Sequence, residues 1–521
     1  MVNNITLLDC TLRDGAHLNK GNFGRTTITE TISDLVSSDI DIVEIGFFDN
    51  DEHDDDSSFF SSIADVKRIL PKNKGNVKYS LMADFVDVSS IEPYDGTIDY
   101  FRLSFKRHRL DWGLNAAKTL MEKGYKCFIN PVNCNVYSDQ EYLDVIRKVN
   151  ELKPFGFSIV DTFGVFRKQT LSRIYYLLEG NLDPEITIGL HLHENLGLAY
   201  SLAQHFIEIR DPKRKINIDC SLFGMGRAPG NLCTEQIMDH MNIYQGAKYN
   251  TEPALDAIDD YIAPLKRKYE WGYSIPYALS GKYGLHRTYA EFLMNKNRLK
   301  TKDIQRILAL IDKEHIEMFD EEYIEALYRN YVAADYNDSE SVDYLKKELS
   351  GKNVLIICPG GSIADYKKEI TKYIKNNNSL VISVNFIPDF IEPQYVFCAN
   401  IKRISNIESN SKSIHLMTSN IAKEYSDLCD YVFSFNDCVY FNEVFCEDST
   451  LMLLKILYKC GLKRVSIAGF DGFVKGQRKY FDEEYTNEVG IDVEVMNVKK
   501  ILNSTFKEMD LSFLTPSAYK E

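Results

Sequence analysis

Arg13, Asp14 and His17 stand within five residues of one another, directly after the apolar run ITLLD that starts at Ile5. They bring a guanidinium, a carboxylate and an imidazole to one short segment: a fixed cation, an acid or metal ligand, and a general base. A second pair, His191 and His193, lies in the run TIGLHLH. Side chains two apart on a strand share a face, so both imidazoles would point the same way. An H-x-H pair on a strand is often structural. With Asp14 added, the set can hold a divalent cation and leave positions open for a substrate.

These residues need a scaffold that brings positions 14 and 191 together. From Ile5 to about Tyr244, β-rich runs alternate with amphipathic stretches: ITLLD, DIVEIGF, VKYSLM, IDYFRLSF, YKCFINPV, FSIVDTFG, TIGLHLH and INIDCSLF. Between them, segments such as Thr26 to Ser38 and Asp139 to Leu152 carry apolar residues at three- and four-residue spacing, as helices do. Eight βα units in about 245 residues predict a closed (β/α)8 barrel, with an open doubly wound sheet as the alternative. Such barrels carry their chemistry at the C-terminal strand ends. Polar residues collect there: Arg13, Asp14 and His17, then Glu44, Arg102, Asn130, Asp161 and Thr162, and finally the two histidines.

The chain of 521 residues is too long for one core. The pattern predicts a barrel domain over 1–249 and a helical extension over 250–349, which packs on the barrel or builds a homo-oligomer interface. A smaller Rossmann-like α/β domain is predicted over 350–521, starting with VLIIC and the turn Pro359-Gly360-Gly361-Ser362. A net charge of -15 argues against nucleic acid or an anionic membrane as the main partner and favours a small molecule. No apolar run is long enough to span a bilayer. Eleven cysteines without a C-x-x-C pair read as reduced structural thiols, and the expected location is the cytoplasm.

The runs LLDCTLRDGAH, IVEIGF, IVDTFG, GLHLHENLGLA and SLFGMGRAPGNLCTE, in that order, resemble the metal-dependent aldolase and lyase superfamily. That superfamily includes 3-hydroxy-3-methylglutaryl-CoA lyase, isopropylmalate and homocitrate synthases, and 4-hydroxy-2-oxovalerate aldolase. The resemblance implies a divalent metal, Mn2+ or Mg2+ with Co2+ or Zn2+ as alternatives, on Asp14, His191 and His193, with Asn195 as a fourth or water-mediated ligand. It places Arg13 beside the enolate oxygen. Glu44, Arg102, Asn130, Asp161 and Thr162 fall where relatives contact substrate or support the metal, although each could be a barrel-interior partner. Arg227 either binds a carboxylate or braces its turn.

His17 decides the branch. The condensing synthases usually continue LRDG with Glu-Gln, whereas the 4-hydroxy-2-oxo acid aldolases carry a histidine three residues after the aspartate and use it as the base. The expected activity is therefore an aldolase joining or separating a 2-oxo acid and an aldehyde. An acyl-CoA-dependent Claisen synthase is the rival. The resemblance also points to a tyrosine of the extension, Tyr283 or Tyr289. Cys233 stands where relatives usually have Pro or Ala and is read as packing. The acidic run Asp49 to Asp56 is read as a solvated loop.

In the C-terminal domain, Gly360, Gly361 and Ser362 follow a strand and precede a helix, where backbone amides can cradle a phosphate. The region is faintly similar to sialyltransferase-like proteins, with Asn385, Asp448 and Asp471 at strand ends or in loops. This implies a nucleotide or nucleotide-sugar partner and a place in surface-glycan or sugar metabolism. A further alternative makes this domain the functional nucleotide-sugar-binding or transferase module and the barrel its scaffold.

Overall fold

The predicted runs form parallel strands because most are apolar along their whole length, as burial on both faces of a barrel wall requires. The computed structural model describes residues 4–51, 53–227, 229–316, 318–407, 412–440, 446–472 and 491–520. Its first strands are β1 (Ile5–Asp9), β2 (Ile42–Phe48), β3 (Phe59–Phe60), β4 (Lys78–Asp84) and β5 (Tyr100–Phe105). They are followed by β6 (Lys126–Pro131), β7 (Gly156–Asp161), β8 (Thr187–Leu192) and β9 (Ile216–Cys220). Every residue of β2, β7, β8 and β9 is buried. The pairing runs β1-β9-β8-β7-β6-β5-β4-β2 and returns to β1 through Leu8 and Ile42, closing an eight-stranded parallel barrel. The alternative of an open sheet for this part of the chain is thereby excluded.

The helices between strands lay their apolar faces on the outside of the wall. Asp139–Leu152 buries Tyr142, Val145, Ile146 and Val149, the spacing of one helical face. Its start is fixed by a capping box between Ser138 and Glu141.

The closure between β1 and β2 is short, and β3 explains why. Only Leu8 and Asp9 pair with β2, because the chain then leaves β1 for the segment that carries Arg13 and Asp14. The outer part of β2 pairs instead with β3, Phe47 opposite Phe59 and Phe48 opposite Phe60. An irregularity in β2 between Glu44 and Phe47 accompanies this change of partner. Gly46 sits in it: an added Cβ would lie 1.9 Å from the Ser58 carbonyl oxygen. The acidic segment before β3 is partly tied down, with Asp56 accepting from the Arg25 amide at the start of helix Arg25–Ser37 and Asp55 pairing with the Arg25 side chain.

The chain divides into two compact units, residues 1–290 with 311–319, and 291–310 with 320–521. The helical stretch 250–349 thus contributes to both. The second unit is built on seven parallel strands: β10 (Val354–Ile357), β11 (Leu380–Val384), β12 (Tyr395–Cys398), β13 (Ile414–Thr418), β14 (Tyr431–Phe433), β15 (Arg464–Ala468) and β16 (Asp510–Phe513). Their order is β14-β13-β12-β11-β10-β15-β16, so the direction of winding reverses between β10 and β15.

Gly46→Ala should destabilise the barrel by about 1–3 kcal/mol, because the clashing atom is backbone and cannot rotate away. Urea unfolding checks this, with Gly180→Ala, where an added Cβ meets open space, as the control that should change little.

Candidate active site and metal centre

After Asp9 the chain turns through a single helical turn, Thr11–Asp14, whose four residues are all buried. Asp9 fixes the turn by accepting from the Thr11 amide at 2.9 Å and from the Thr234 hydroxyl at 2.6 Å. Thr11 in turn accepts from the Leu222 amide at 2.8 Å. Burial pushes the Asp9 carboxyl up to about 6, against the pull of these donors. Arg13 and Asp14 are thereby presented at the barrel mouth, with His17 one turn further on.

Beneath them runs a chain of alternating charges. Arg13 donates through Nη1 to Asp14 Oδ1 at 2.6 Å and through Nε to Glu44 Oε2 at 2.7 Å. Arg102 donates through Nη1 to the same Glu44 oxygen at 3.0 Å and through Nη2 to Asp219 Oδ2. Asp219 also meets His191 Nδ1 at 3.0 Å. The side chains of Glu44 and Arg102 are 0% exposed. Burial opposes the charge on Asp219, but Arg102 and His191 outweigh it and hold the carboxyl below its usual range.

The same contacts settle how the histidines present themselves. His193 Nδ1 lies 3.0 Å from the Asp161 carbonyl, which can only accept, so Nδ1 carries the proton and Nε2 offers a lone pair. For His191, the Asp219 carboxylate imposes the same tautomer. Burial, the neighbouring His191 and Arg227 push His193 down to about 3, so it is neutral at ordinary pH. Burial likewise opposes ionisation of Asp14, yet Arg13 and the surrounding imidazoles hold its carboxyl far below the carboxylate range.

The candidate ligand atoms of Asp14, His191 and His193 lie within 4.8 Å of one another. Asn231 reaches the same point, with Nδ2 against Asp14 Oδ2 and Oδ1 buried without a hydrogen-bond partner. Gly226 makes this approach possible, because a Cβ there would lie 2.2 Å from the Asn231 amide and 2.5 Å from Asp14 Oδ2. One carboxylate and two imidazoles, with the Asn231 amide beside them, form a donor set that fits a divalent cation.

A cleft of about 370 Å³ opens over this set. Arg13, Asp14, His17, Asn130, Thr162, His191, His193 and Arg227 all line it. His17 keeps 38% side-chain exposure, sets its ring edge on Phe47 at 5.5 Å, and brings Nε2 to 3.9 Å from Asp14 Oδ1. Desolvation by the surrounding walls, with Arg227 and Arg13 nearby, pushes it down to about 4 despite the attraction of Asp14. The imidazole is therefore unprotonated at neutral pH. Thr162 accepts from the Asn133 amide at 2.7 Å. Asn130, with its amide turned so that oxygen faces the guanidinium, accepts from Arg102 Nη2 at 2.8 Å.

Four predicted residues lie elsewhere. Glu44 and Arg102 sit under the cleft as links in the charge chain, not on its wall. The Asp161 carboxylate caps the loop after β7, accepting from the amides of Val165 and Phe166, and burial pushes it up to about 7. Asn195 lies beyond the end of β8, where strand alternation no longer directs it. Its amide donates to the Tyr277 carbonyl at 3.2 Å and the Ser280 hydroxyl at 3.4 Å. Asn231 takes the place beside Asp14 that the sequence assigned to Asn195.

Sequence reasoning also missed Asp219, although the alternating polar residues of INIDC carry that signal. It missed His286, Met318 and Phe319, which the extension contributes to the cleft wall. Tyr289 acts at one remove, its buried hydroxyl donating to the carbonyls of His315 and Met318 at 2.9 Å each. Tyr283 does not line the cleft. Burial pushes the Cys233 thiol up, which fits packing. In the second unit, the Ser362 amide and hydroxyl already donate to Asp471 at 2.7 and 2.5 Å. A Cβ on Gly360 would lie 2.2 Å from the Gly469 carbonyl. The glycine turn therefore brings two loops together, and a carboxylate occupies the amide expected to face a phosphate. Asp448 caps helix Ser449–Lys459, and Asn385 accepts from the Ala399 amide at 3.2 Å.

Two outcomes follow from this geometry. Arg102→Met leaves Glu44 and Asp219 as buried charges short of a partner and should cost about 3–5 kcal/mol in urea unfolding. Asp219→Asn should weaken Mn2+ binding, followed by calorimetry, by about 10–100-fold, because the amide no longer supports His191 as a carboxylate does.

Residues 4–260 match the HMGL-like family. A Methanosarcina mazei protein named "Probable 2-isopropylmalate synthase" is 27% identical over 254 residues, 47% of this chain and 48% of that protein. A 4-hydroxy-2-oxovalerate aldolase of Pseudoalteromonas translucida is 22% identical over 269 residues, 50% of this chain and 76% of that one. The chain thus spans about half the length of the synthase it matches. The crystal structure of hydroxymethylglutaryl-CoA lyase from Pseudomonas aeruginosa is similar over 50% of this chain and 92% of that one, with 14% identity and a TM-score of 0.41. Residues 4–260 are an HMGL-like domain of the DRE-TIM superfamily, and the relatives it matches include proteins named as a 2-isopropylmalate synthase and a 4-hydroxy-2-oxovalerate aldolase.

Proposed function

We propose that the barrel is a divalent-metal-dependent aldolase that forms or cleaves a 4-hydroxy-2-oxo acid, with Mn2+ or Mg2+ on Asp14, His191, His193 and Asn231. The observation that carries this reading is His17: an unprotonated imidazole on the cleft wall, 3.9 Å from Asp14. A bound divalent cation would supply a Lewis acid for the oxygens of the 2-oxo acid. In cleavage, His17 takes the proton of the 4-hydroxyl group, the C3–C4 bond breaks, and the aldehyde leaves as its carbonyl forms. The electron pair of the broken bond passes to the pyruvate fragment as an enolate, which a proton then converts to pyruvate. Arg13 faces the developing charge; Nε and Nη1 are held by Glu44 and Asp14, while Nη2 has no partner among the described residues.

A second reading, a Claisen synthase joining an acyl-CoA to a 2-oxo acid, is favoured by the synthase among the relatives. It would need no base to take a substrate hydroxyl proton at the position of His17.

Exchange of the pyruvate methyl protons for deuterium, followed by NMR with Mg2+, tests the aldolase. The parent should exchange and Asp14→Ala should not. Exchange that survives loss of Asp14 would sink the metal mechanism. His17→Ala should slow cleavage of 4-hydroxy-2-oxopentanoate by about 10²–10⁴-fold. Thiol release from acetyl-CoA in the presence of a 2-oxo acid, without pyruvate exchange, would decide for the synthase.

A further inference from the structure

We infer that the aldehyde partner carries an oxyanion, a phosphate or a carboxylate, and that Arg227 and Lys106 on the cleft wall receive it; this rests on the aldolase reading. The charges of the cleft wall lead there. Arg13 is already engaged by Asp14 and Glu44, and Asp14 belongs to the metal set. Of the remaining lining residues, Arg227 and Lys106 are cationic, and neither side chain has a hydrogen bond or ion pair among the described residues. Asp84 is the one other acidic residue on that wall among the described residues, and it is exposed.

Arg227 lines the cleft together with His17, His193, His286 and Asp84, and its charge acts on all four. His286 is pushed down to about 3 by burial and by Arg227, Arg287 and Lys106 together. Two cationic side chains on one wall, with Asp84 as the carboxylate they face, leave that wall net positive. A neutral two-carbon aldehyde would leave these two cations with Asp84 alone between them.

A second observation concerns the same wall. Asn133 is 8% exposed, holds a left-handed backbone with φ of 58°, and lines the cleft. Its Oδ1 is buried without a hydrogen-bond partner. A strained residue holding an unpaired acceptor at a binding wall calls for a donor from the ligand. A hydroxyl group on the aldehyde would supply it. The cleft of about 370 Å³ corresponds to roughly twelve waters' share of liquid volume, room for a chain longer than acetaldehyde.

The test compares kcat/KM for addition of pyruvate to acetaldehyde, glyceraldehyde, glyceraldehyde 3-phosphate and succinic semialdehyde, using the full chain with Mg2+. The parent should prefer one of the two anionic aldehydes over the neutral ones by about 10–100-fold, the worth of charge-assisted hydrogen bonds. Whichever is preferred identifies the oxyanion as phosphate or carboxylate. Arg227→Gln and Lys106→Gln should each shrink that ratio about tenfold, mainly through KM for the anionic aldehyde. Arg227→Lys should keep more of it than Arg227→Gln.

Equal kcat/KM for neutral and anionic aldehydes in a parent that exchanges pyruvate protons would overturn this proposal and leave the aldolase standing. A ratio unchanged in both glutamine variants would overturn the assignment to Arg227 and Lys106. Absence of pyruvate exchange in the parent would overturn the aldolase and this inference with it.

Discussion

The barrel mouth depends on one line of alternating charges: Asp14, Arg13, Glu44, Arg102, Asp219 and His191. Its members come from or directly follow β1, β2, β5, β8 and β9, so one electrostatic chain ties together strands far apart in sequence. Two of its links, Glu44 and Arg102, are sealed from water. Buried charges are expensive to desolvate and are tolerated when each is met by partners of opposite sign and good geometry. Here each arginine lies between two carboxylates. The line begins and ends on a candidate metal ligand, so the spacing of Asp14 and His191 is set by contacts that lie outside any metal.

Much of the local backbone serves this arrangement. β1 gives up its partner early so that the Thr11–Asp14 turn can enter the mouth, and β3 takes over the pairing of β2. Gly46 and Gly226 each stand where a side chain would drive apart groups that must meet. The helical extension adds His286 to the wall and, through Tyr289, ties down the segment that carries Met318. The scaffold thus supplies rigidity from strands and a cleft wall from segments outside the barrel.

The eight barrel strands were legible because burial on both faces writes each as an apolar run. β3 was not, since two phenylalanines carry no periodicity. Asp14, His191 and His193 could be placed because strand alternation and the barrel rim fix both direction and height. Glu44 and Arg102 were assigned to the right strands with cleft wall and barrel interior both left open, because alternation tells which way a side chain points, not which layer of the barrel it fills. Asn195 entered through the resemblance alone, as a fourth or water-mediated ligand, and the amide that lies beside Asp14 comes from residue 231. In the second unit, the glycine turn after β10 looked like a phosphate cradle because its partner, Asp471, lies 109 residues away. Local sequence does not announce such a pairing.

The two histidine partners make the imidazoles unequal as electron donors. His191 leans on a carboxylate that carries a full charge, His193 on a neutral peptide carbonyl. A carboxylate accepts a stronger, charge-assisted hydrogen bond from the ring it holds than a peptide carbonyl does. The pair is therefore graded, one strong and one ordinary nitrogen donor, although the sequence writes both as the same residue on the same strand. Such grading polarises any ion held between them, and it ties the stronger donor to Arg102 in the barrel interior. A change deep in the core can then alter the electronic character of the centre while leaving every residue that touches substrate untouched.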